Sequence, residues 1–542
     1  DAEATAAQVI ELARAGCDIV RVTVPSKRDA NALSEIRRRM AAENVHVPLV
    51  ADIHFTPKLA LQVVEHVEKV RINPGNFVDK KSLKGEAYDD ERWERDLARA
   101  HEMFAPVVDR ARELGVALRI GTNHGSLSDR ILHRHGDTPE GMVESALEFV
   151  RIAEDRGHRD VVLSMKASNV QVMVRAYRLL ADRLEGSEIG LLPLHLGVTE
   201  AGGGDEGRIK SAAGIATLLG EGLGDTVRVS LTENPVAEVP VGRALVGMFA
   251  KPAEAPTETG PILEETRNPL DPRRRETAPL EVGPVSLGGR FDPRVELVAS
   301  EAEARAVAAA APEIWPPVEV VDLRIAGASP AWEEALDALG SLAEAGIVRA
   351  ATFDVPAAVR ALQTEDSARR LRGGLDRLGF VVAHEDLSVV REVAERVGQL
   401  PVLALLRVDG DGLDAASAER MVAFAAAVAG RGPAWSVGLE CGPAVDVTQA
   451  HRLLAAALDR SGSRAPLVLS DRARAGEEDQ RLGVAGRLAP LLVDGQGDAP
   501  RLDVRGDAGG RAGLAHAVLQ ACRRRLEQAE YIACPSCGRT RF

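Results

Sequence analysis

The sequence predicts two consecutive α/β domains built on parallel sheets, the first a (β/α)8 barrel of the TIM type. Three observations predict it. From residue 10 to about 250, short apolar runs alternate with Ala-, Leu-, Arg- and Glu-rich helical stretches. The runs are nearly continuous in apolar character, as strands covered on both faces are. A polar or charged residue follows every run, whereas an open doubly wound sheet would gather such residues at one switch point; nor does a G-x-G-x-x-G follow the first strand.

The runs occupy residues 19–24, 47–51, 69–72, 117–120, 161–165, 191–197 and 226–231. Seven strands are one short of a closed barrel, so the first barrel strand is expected upstream of Asp1. Residues 251–292 carry eight prolines counting Pro293 just beyond, among Glu, Thr and Arg, and read as an extended connector. Strand–helix alternation then resumes, with candidate strands at 320–325, 348–354, 401–408, 435–440, 466–470 and 490–494. This second α/β region, residues 293–515, is expected to be an insert, a degenerate barrel in form. A last helix over about 511–529 opens a segment, 516–542, that leads into Cys534 and Cys537.

With a net charge of −14 and a pI near 5.5, the chain has no basic stripe, which argues against nucleic acid as a partner. No apolar run is long enough to span a membrane. Five cysteines in 542 residues are no disulfide scaffold, so a reducing bacterial cytoplasm is the expected setting. Only Cys534 and Cys537 are spaced to share one metal centre, iron–sulfur or zinc.

Barrel chemistry sits just past the C-terminal strand ends. Those positions supply Arg21, Arg71, Arg119, Lys166 and Arg228, five cations from five strands. Any one of them alone is more often a surface ion pair, and His54 or His195 alone more often a core histidine. Together they point to a small, strongly anionic ligand such as a diphosphate, since guanidinium forks match phosphate oxygens. Asn73, Asn123, Ser126, Thr199 and Ser230 add neutral donors. Asp52 and Glu200 are the carboxylates placed to hold hydroxyls or move a proton. Gly202, Gly203 and Gly204 before Asp205 and Glu206 read equally as a mobile loop over the site or an ordinary connection, and His133–His135 as a solvated turn.

At these residues the chain resembles the 4-hydroxy-3-methylbut-2-enyl diphosphate synthase family of the methylerythritol phosphate pathway. The phrases that carry the resemblance are ADIHF (51–55), VRINPGN (70–76), RIGTNHGSL (119–127), SMKAS (164–168), PLHLGVTEAG (193–202), VRVSLTENP (227–235) and ACPSCGRT (533–540). They span residues 8–250 and about 515–542, and residues 251–510 look like the insert of the plant-type, three-domain branch.

The resemblance implies reductive ring opening of 2-C-methyl-D-erythritol 2,4-cyclodiphosphate, with loss of water and two electrons from a [4Fe–4S] cluster. It implies that Arg21, Arg71, Arg119, Lys166, Arg228 and Ser230 hold the diphosphate. Asp52, Asn73, Asn123, Thr199 and Glu200 would line the carbon skeleton, with Glu200 and Asp52 as the catalytic carboxylates and Glu200 handling a proton. Cys534 and Cys537 would be two cluster ligands; a third cysteine and a glutamate are expected beyond Phe542, so this chain alone is expected to be inactive. Reduced ferredoxin or flavodoxin would be the donor. The resemblance leaves open whether the cluster domain closes over its own barrel or over a second copy in a homodimer. A barrel transferase for a phosphorylated or pterin substrate, with Cys534 and Cys537 in a zinc knuckle, is the alternative. Residues 251–510 show no chemical constellation and are expected to act as a spacer or docking module.

Overall fold

The computed structural model describes residues 1–53, 56–78, 89–249, 264–325, 331–354, 364–383, 396, 398–410, 413–429, 434–474, 476–477 and 479–530. The chain divides into two compact units, Asp1–Lys251 with Glu530–Phe542, and Pro252–Ala529.

Among its described residues the first unit carries seven parallel strands in sequence order: β1 (Val20–Thr23), β2 (Leu49–Ile53), β3 (Lys69–Ile72), β4 (Ala117–Asn123), β5 (Val161–Lys166), β6 (His195–Leu196) and β7 (Thr226–Val227). β1 to β5 form one sheet. A parallel bridge from Leu163 to Leu194 continues it to β6, which pairs with β7. Register sets Asp52 beside Arg71 and Arg71 beside Arg119, so three charged side chains lie in one row across β2, β3 and β4. Helices cross between the strands with ordinary end chemistry. Thr138 accepts a hydrogen bond from the Gly141 amide at 3.1 Å and starts the helix Pro139–Asp155, and Gly115, at φ 64°, ends the helix Asp90–Leu114.

The solvated turn expected at His133–His135 is corrected, and Gly202–Gly204 take the form of the ordinary connection. Residues His133–His135 close a helix, Asp129–His135, whose N-cap Ser128 accepts from the Ile131 amide. Asp205 and Glu206 lie in the first turn of the helix Gly204–Leu219, where two carboxylates complement the amide end of the helix dipole. The Gly204 amide also donates to Glu233 at 3.0 Å, so the triple glycine leads into a held helix start rather than a free loop.

The second unit is a complete barrel, not a degenerate one. Its strands are β10 (Glu296–Ala299), β11 (Val320–Ile325), β12 (Val348–Asp354), β13 (Arg377–Val382), β14 (Val402–Val408), β15 (Trp435–Cys441), β16 (Leu467–Arg472) and β17 (Ala499–Asp503). All pair in parallel, and Glu296 of β10 opposite Arg501 of β17 closes the ring. Periodicity missed β10 and β13, which each open on a charged residue, and β17, which carries Pro500 and Arg501. It also mistook residues 490–494 for a strand. They end the helix Gln480–Val493, which is buried all round and therefore shows no polar face.

The expected extended connector is likewise partly folded. Residues Leu280–Val282 (β8) and Val285–Leu287 (β9) form a hairpin turning at Gly283, whose φ of 55° suits a tight two-residue turn. Its Leu280, Val282 and Leu287 pack on Val320, Val348, Leu403, Val468 and Ala499, and so plug the N-terminal end of the barrel with apolar side chains. Above this layer lies an ionic one. Arg377 donates to Glu296 at 2.6 Å, and Arg501 donates to Glu296 at 2.9 Å and to Asp322 at 3.0 Å, all of them buried. The helix Ala508–Ala521 packs on the closing strands β10 and β17 and belongs to the ring of this barrel.

Candidate active site

The row of charges at the C-terminal ends of β1 to β5 is organised by one carboxylate. Asp52 accepts from Arg21 Nη1 at 2.7 Å and from Arg71 Nη1 at 2.8 Å. Arg71 is fully buried and also donates through Nη2 to the Gly121 carbonyl at 2.7 Å and to Asn123 Oδ1 at 3.2 Å. Gly121 is required for this path, because a Cβ there would lie 2.4 Å from Arg71 Nε and 3.1 Å from Ser164 Oγ. Arg119 donates through Nε to Ser164 Oγ at 3.2 Å.

Asn73 and Ser126 meet beside this row, with Nδ2 donating to Oγ at 3.1 Å. Arg228, just past β7, lies 3.8 Å from Glu238. His195 of β6 pairs through Nδ1 with Thr226 Oγ1 at 2.7 Å.

Among the described residues, neither Arg119 nor Lys166 forms an ion pair with a carboxylate, although both side chains are buried. Burial, followed by Arg71 and Arg21, holds the Arg119 guanidinium well below its usual range. Burial, followed by Arg71, Arg119 and Arg21, does the same to the Lys166 ammonium. Arg228 is pushed down to about 10, chiefly by burial and then by Arg21. Burial and the surrounding cations, Arg119 first, depress His195 far enough to keep it neutral at pH 7. Five buried or half-buried cations thus face Asp52 and Glu238, and burying cations without counterions is costly.

Unused hydrogen-bonding atoms line the same region. Arg119 Nη2, Asn73 Oδ1, Thr122 Oγ1, Ser230 Oγ and His195 Nε2 are buried without a partner among the described residues. A bound polyanion would pair the cations and accept from the Arg, Thr and Ser donors.

The structure brings Arg21, Asp52, Arg71, Arg119, Asn123 and Lys166 into one linked or electrostatically coupled group, with Arg228 coupled to it through Arg21. It does not join Thr199 or Glu200 to the group by any side-chain bond among the described residues. The Thr199 amide donates to the Ala167 carbonyl at 3.1 Å, and Glu200 follows half-buried with a left-handed φ of 55°. His54 lies outside the described residues. The sequence alone does not single out Gly121, Thr122, Ser164 or Glu238; the first three lie inside the phrases shared with the family, whereas Glu238 carries no sequence signal.

The described residues contain no cluster of three or more His, Cys, Asp or Glu side chains able to hold a metal. Cys17 is half-buried, and burial pushes the Cys441 and Cys522 thiols up to about 12, which suits inert core thiols rather than ligands. The residues described therefore do not make an iron–sulfur site. Cys534 and Cys537 lie outside them.

Residues 1–243 match the family model described as the GcpE TIM-barrel domain. Three curated relatives are similar over the whole of this chain, and each is named 4-hydroxy-3-methylbut-2-en-1-yl diphosphate synthase (flavodoxin). The relative from Leptospira interrogans is 39% identical over 561 residues, 80% of its length. That from Chlorobaculum tepidum is 37% identical with 74% of its length covered, and that from Akkermansia muciniphila 39% identical with 78% covered.

Proposed function

The chain belongs to the 4-hydroxy-3-methylbut-2-enyl diphosphate synthase family, and we propose that the mouth of its first barrel binds the cyclic diphosphate substrate. The protein is an oxidoreductase of isoprenoid precursor synthesis, forming 4-hydroxy-3-methylbut-2-enyl diphosphate by reductive ring opening of 2-C-methyl-D-erythritol 2,4-cyclodiphosphate. The observation that carries the site assignment is the buried pair Arg119 and Lys166, two cations without a carboxylate partner among the described residues.

In this reading Arg119, Lys166 and Arg228 take the phosphate oxygens, and Arg21 and Arg71 are oriented toward them by Asp52. Both Asp52 oxygens serve those two guanidinium groups, so its role is to fix them. Ser230 Oγ and Arg119 Nη2 supply further donors. Asn73 and Asn123 face the carbon skeleton. Glu200, free of the cation row, is the residue we assign to protonate the oxygen that departs as water, with Thr199 beside it. Neutral His195 presents Nε2 without adding a competing charge.

Iron–sulfur dependence is general in this family. We assign Cys534 and Cys537 as two ligands of a [4Fe–4S] cluster that supplies the electrons, with reduced flavodoxin as the donor on the strength of the relatives' names. Ferredoxin is the second donor to test. No helix among the described residues is long and apolar enough to cross a membrane, in keeping with a cytoplasmic setting. The zinc-dependent transferase reading has no support among these relatives. The test is product formation from the cyclic diphosphate by the anaerobically prepared full-length protein with reduced flavodoxin. Turnover that survives loss of the Arg119 and Lys166 charges would overturn the site.

A further inference from the structure

The second barrel has a mouth of its own that no motif announced. The inward-facing top layer brings Arg324 of β11, Arg407 of β14 and Arg472 of β16 onto one carboxylate, Glu440 of β15. Arg324 donates to Glu440 Oε1 at 2.7 Å and Arg472 at 3.1 Å, while Arg407 stands 3.8 Å away and donates to Asp354 at 3.0 Å. The three guanidinium groups keep a third or so of their side-chain surface exposed, at 29%, 36% and 42% for Arg324, Arg407 and Arg472.

Two further atoms turn this cluster into a site. Among the described residues, Glu440 Oε2 and Ser470 Oγ are buried without a hydrogen-bond partner, and both residues line an open hollow above the ionic layer, with Arg324, Arg472 and Arg501 beside them. The location is the C-terminal strand ends, where closed parallel barrels hold ligands. Arginines from β11 and from β14 and β16, on opposite arcs of the ring, converge there.

We propose that this mouth binds the phosphate group of a small phosphorylated metabolite, with Arg324, Arg407 and Arg472 as its clamp and Glu440 as the internal anion that the phosphate displaces. Ser470 Oγ then donates to the incoming oxyanion. The site lies wholly within the second unit, and its residues are separate from the first-barrel mouth.

Inorganic phosphate is the probe, titrated calorimetrically into the full chain and its variants, with thermal unfolding as the folding control. Removing the competing anion by Glu440→Gln should tighten phosphate binding about tenfold. Arg472→Gln and Arg407→Gln should each weaken it about tenfold, the effect of one charge-assisted hydrogen bond. Arg228→Gln, in the first mouth, should leave this phase unchanged. A purely structural role for Glu440 predicts that Glu440→Gln lowers stability and does not tighten binding; that result overturns the proposal, as does phosphate binding insensitive to Arg407 and Arg472.

Discussion

Asp52 and Arg71 sit side by side in the register of β2 and β3 and are joined at 2.8 Å, both fully buried. Because Asp52 also takes Arg21 at 2.7 Å, one carboxylate holds two of the five cations at the mouth, Glu238 faces Arg228, and Arg119 and Lys166 have no carboxylate partner among the described residues.

Asp52→Asn keeps the shape and removes the counter-charge. Breaking a buried ion pair from one side costs about 3–5 kcal/mol. The unliganded variant should therefore melt well below the parent, and pyrophosphate should recover more of its stability than it adds to the parent. Calorimetric melting with and without pyrophosphate measures both; equal stabilisation of the two proteins contradicts the assignment.

Lys166→Met should act in the opposite sense on stability. It removes an ammonium whose charged form is disfavoured first by burial and then by Arg71, Arg119 and Arg21, so the unliganded protein should gain stability while losing affinity for the diphosphate. Arg119→Ala should cost about 2–3 kcal/mol of kcat/KM in the complete enzyme, because a charge-assisted contact to phosphate is lost. Steady-state kinetics and unfolding curves on the same preparations decide both.

Gly121→Ala tests geometry without changing charge. The new methyl would meet Arg71 Nε at 2.4 Å, so the guanidinium must leave its place between Asp52 and the Gly121 carbonyl. We expect a folded protein with diphosphate affinity reduced at least tenfold, on the scale of one displaced charge-assisted bond. Unchanged affinity would show that Arg71 does not contribute in this pose.

His451, in the second unit, sets a pH dependence. Burial lowers it to about 4 against an ordinary value of 6.5, so the folded state binds fewer protons than the unfolded one between those limits. Its contribution to stability should therefore fall as pH drops from about 6.5 toward 4, by up to about 1.4 kcal/mol per pH unit, and stay flat above 7. His451→Asn should flatten that limb in denaturant titrations at a series of pH values; an unchanged slope would assign the acid limb to other groups.

Much of the first site was legible in the chain. Strand ends could be placed because strands of a covered parallel sheet are apolar along their length, and a cation on five of the seven then stands out. The same property hid the finer arrangement. With both faces of β3 buried, the alternation of Val70, Arg71 and Ile72 does not tell which face is the barrel interior. Glu238 escaped notice because it comes from the helix after β7, with no spacing that ties it to Arg228. The arginines of the second mouth escaped because each is one charged residue at the end of an ordinary strand.

The sequence by itself determined the α/β class, the positions of most strands, and the five cations that stand at the strand ends of the first unit. Tertiary structure alone decided which cations are neutralised and which are not. Asp52 and Arg71 are 19 residues apart, and Arg21 and Asp52 are 31, so their pairing follows from strand register. The second barrel shows the same dependence at longer range. Glu296 and Arg501 meet across 205 residues, and only closure of the ring turns scattered Arg, Glu and Asp residues into a buried ionic layer beneath an arginine-lined mouth. Local pattern carries the period of each strand, but ring closure and register are long-range pairings that no local window contains.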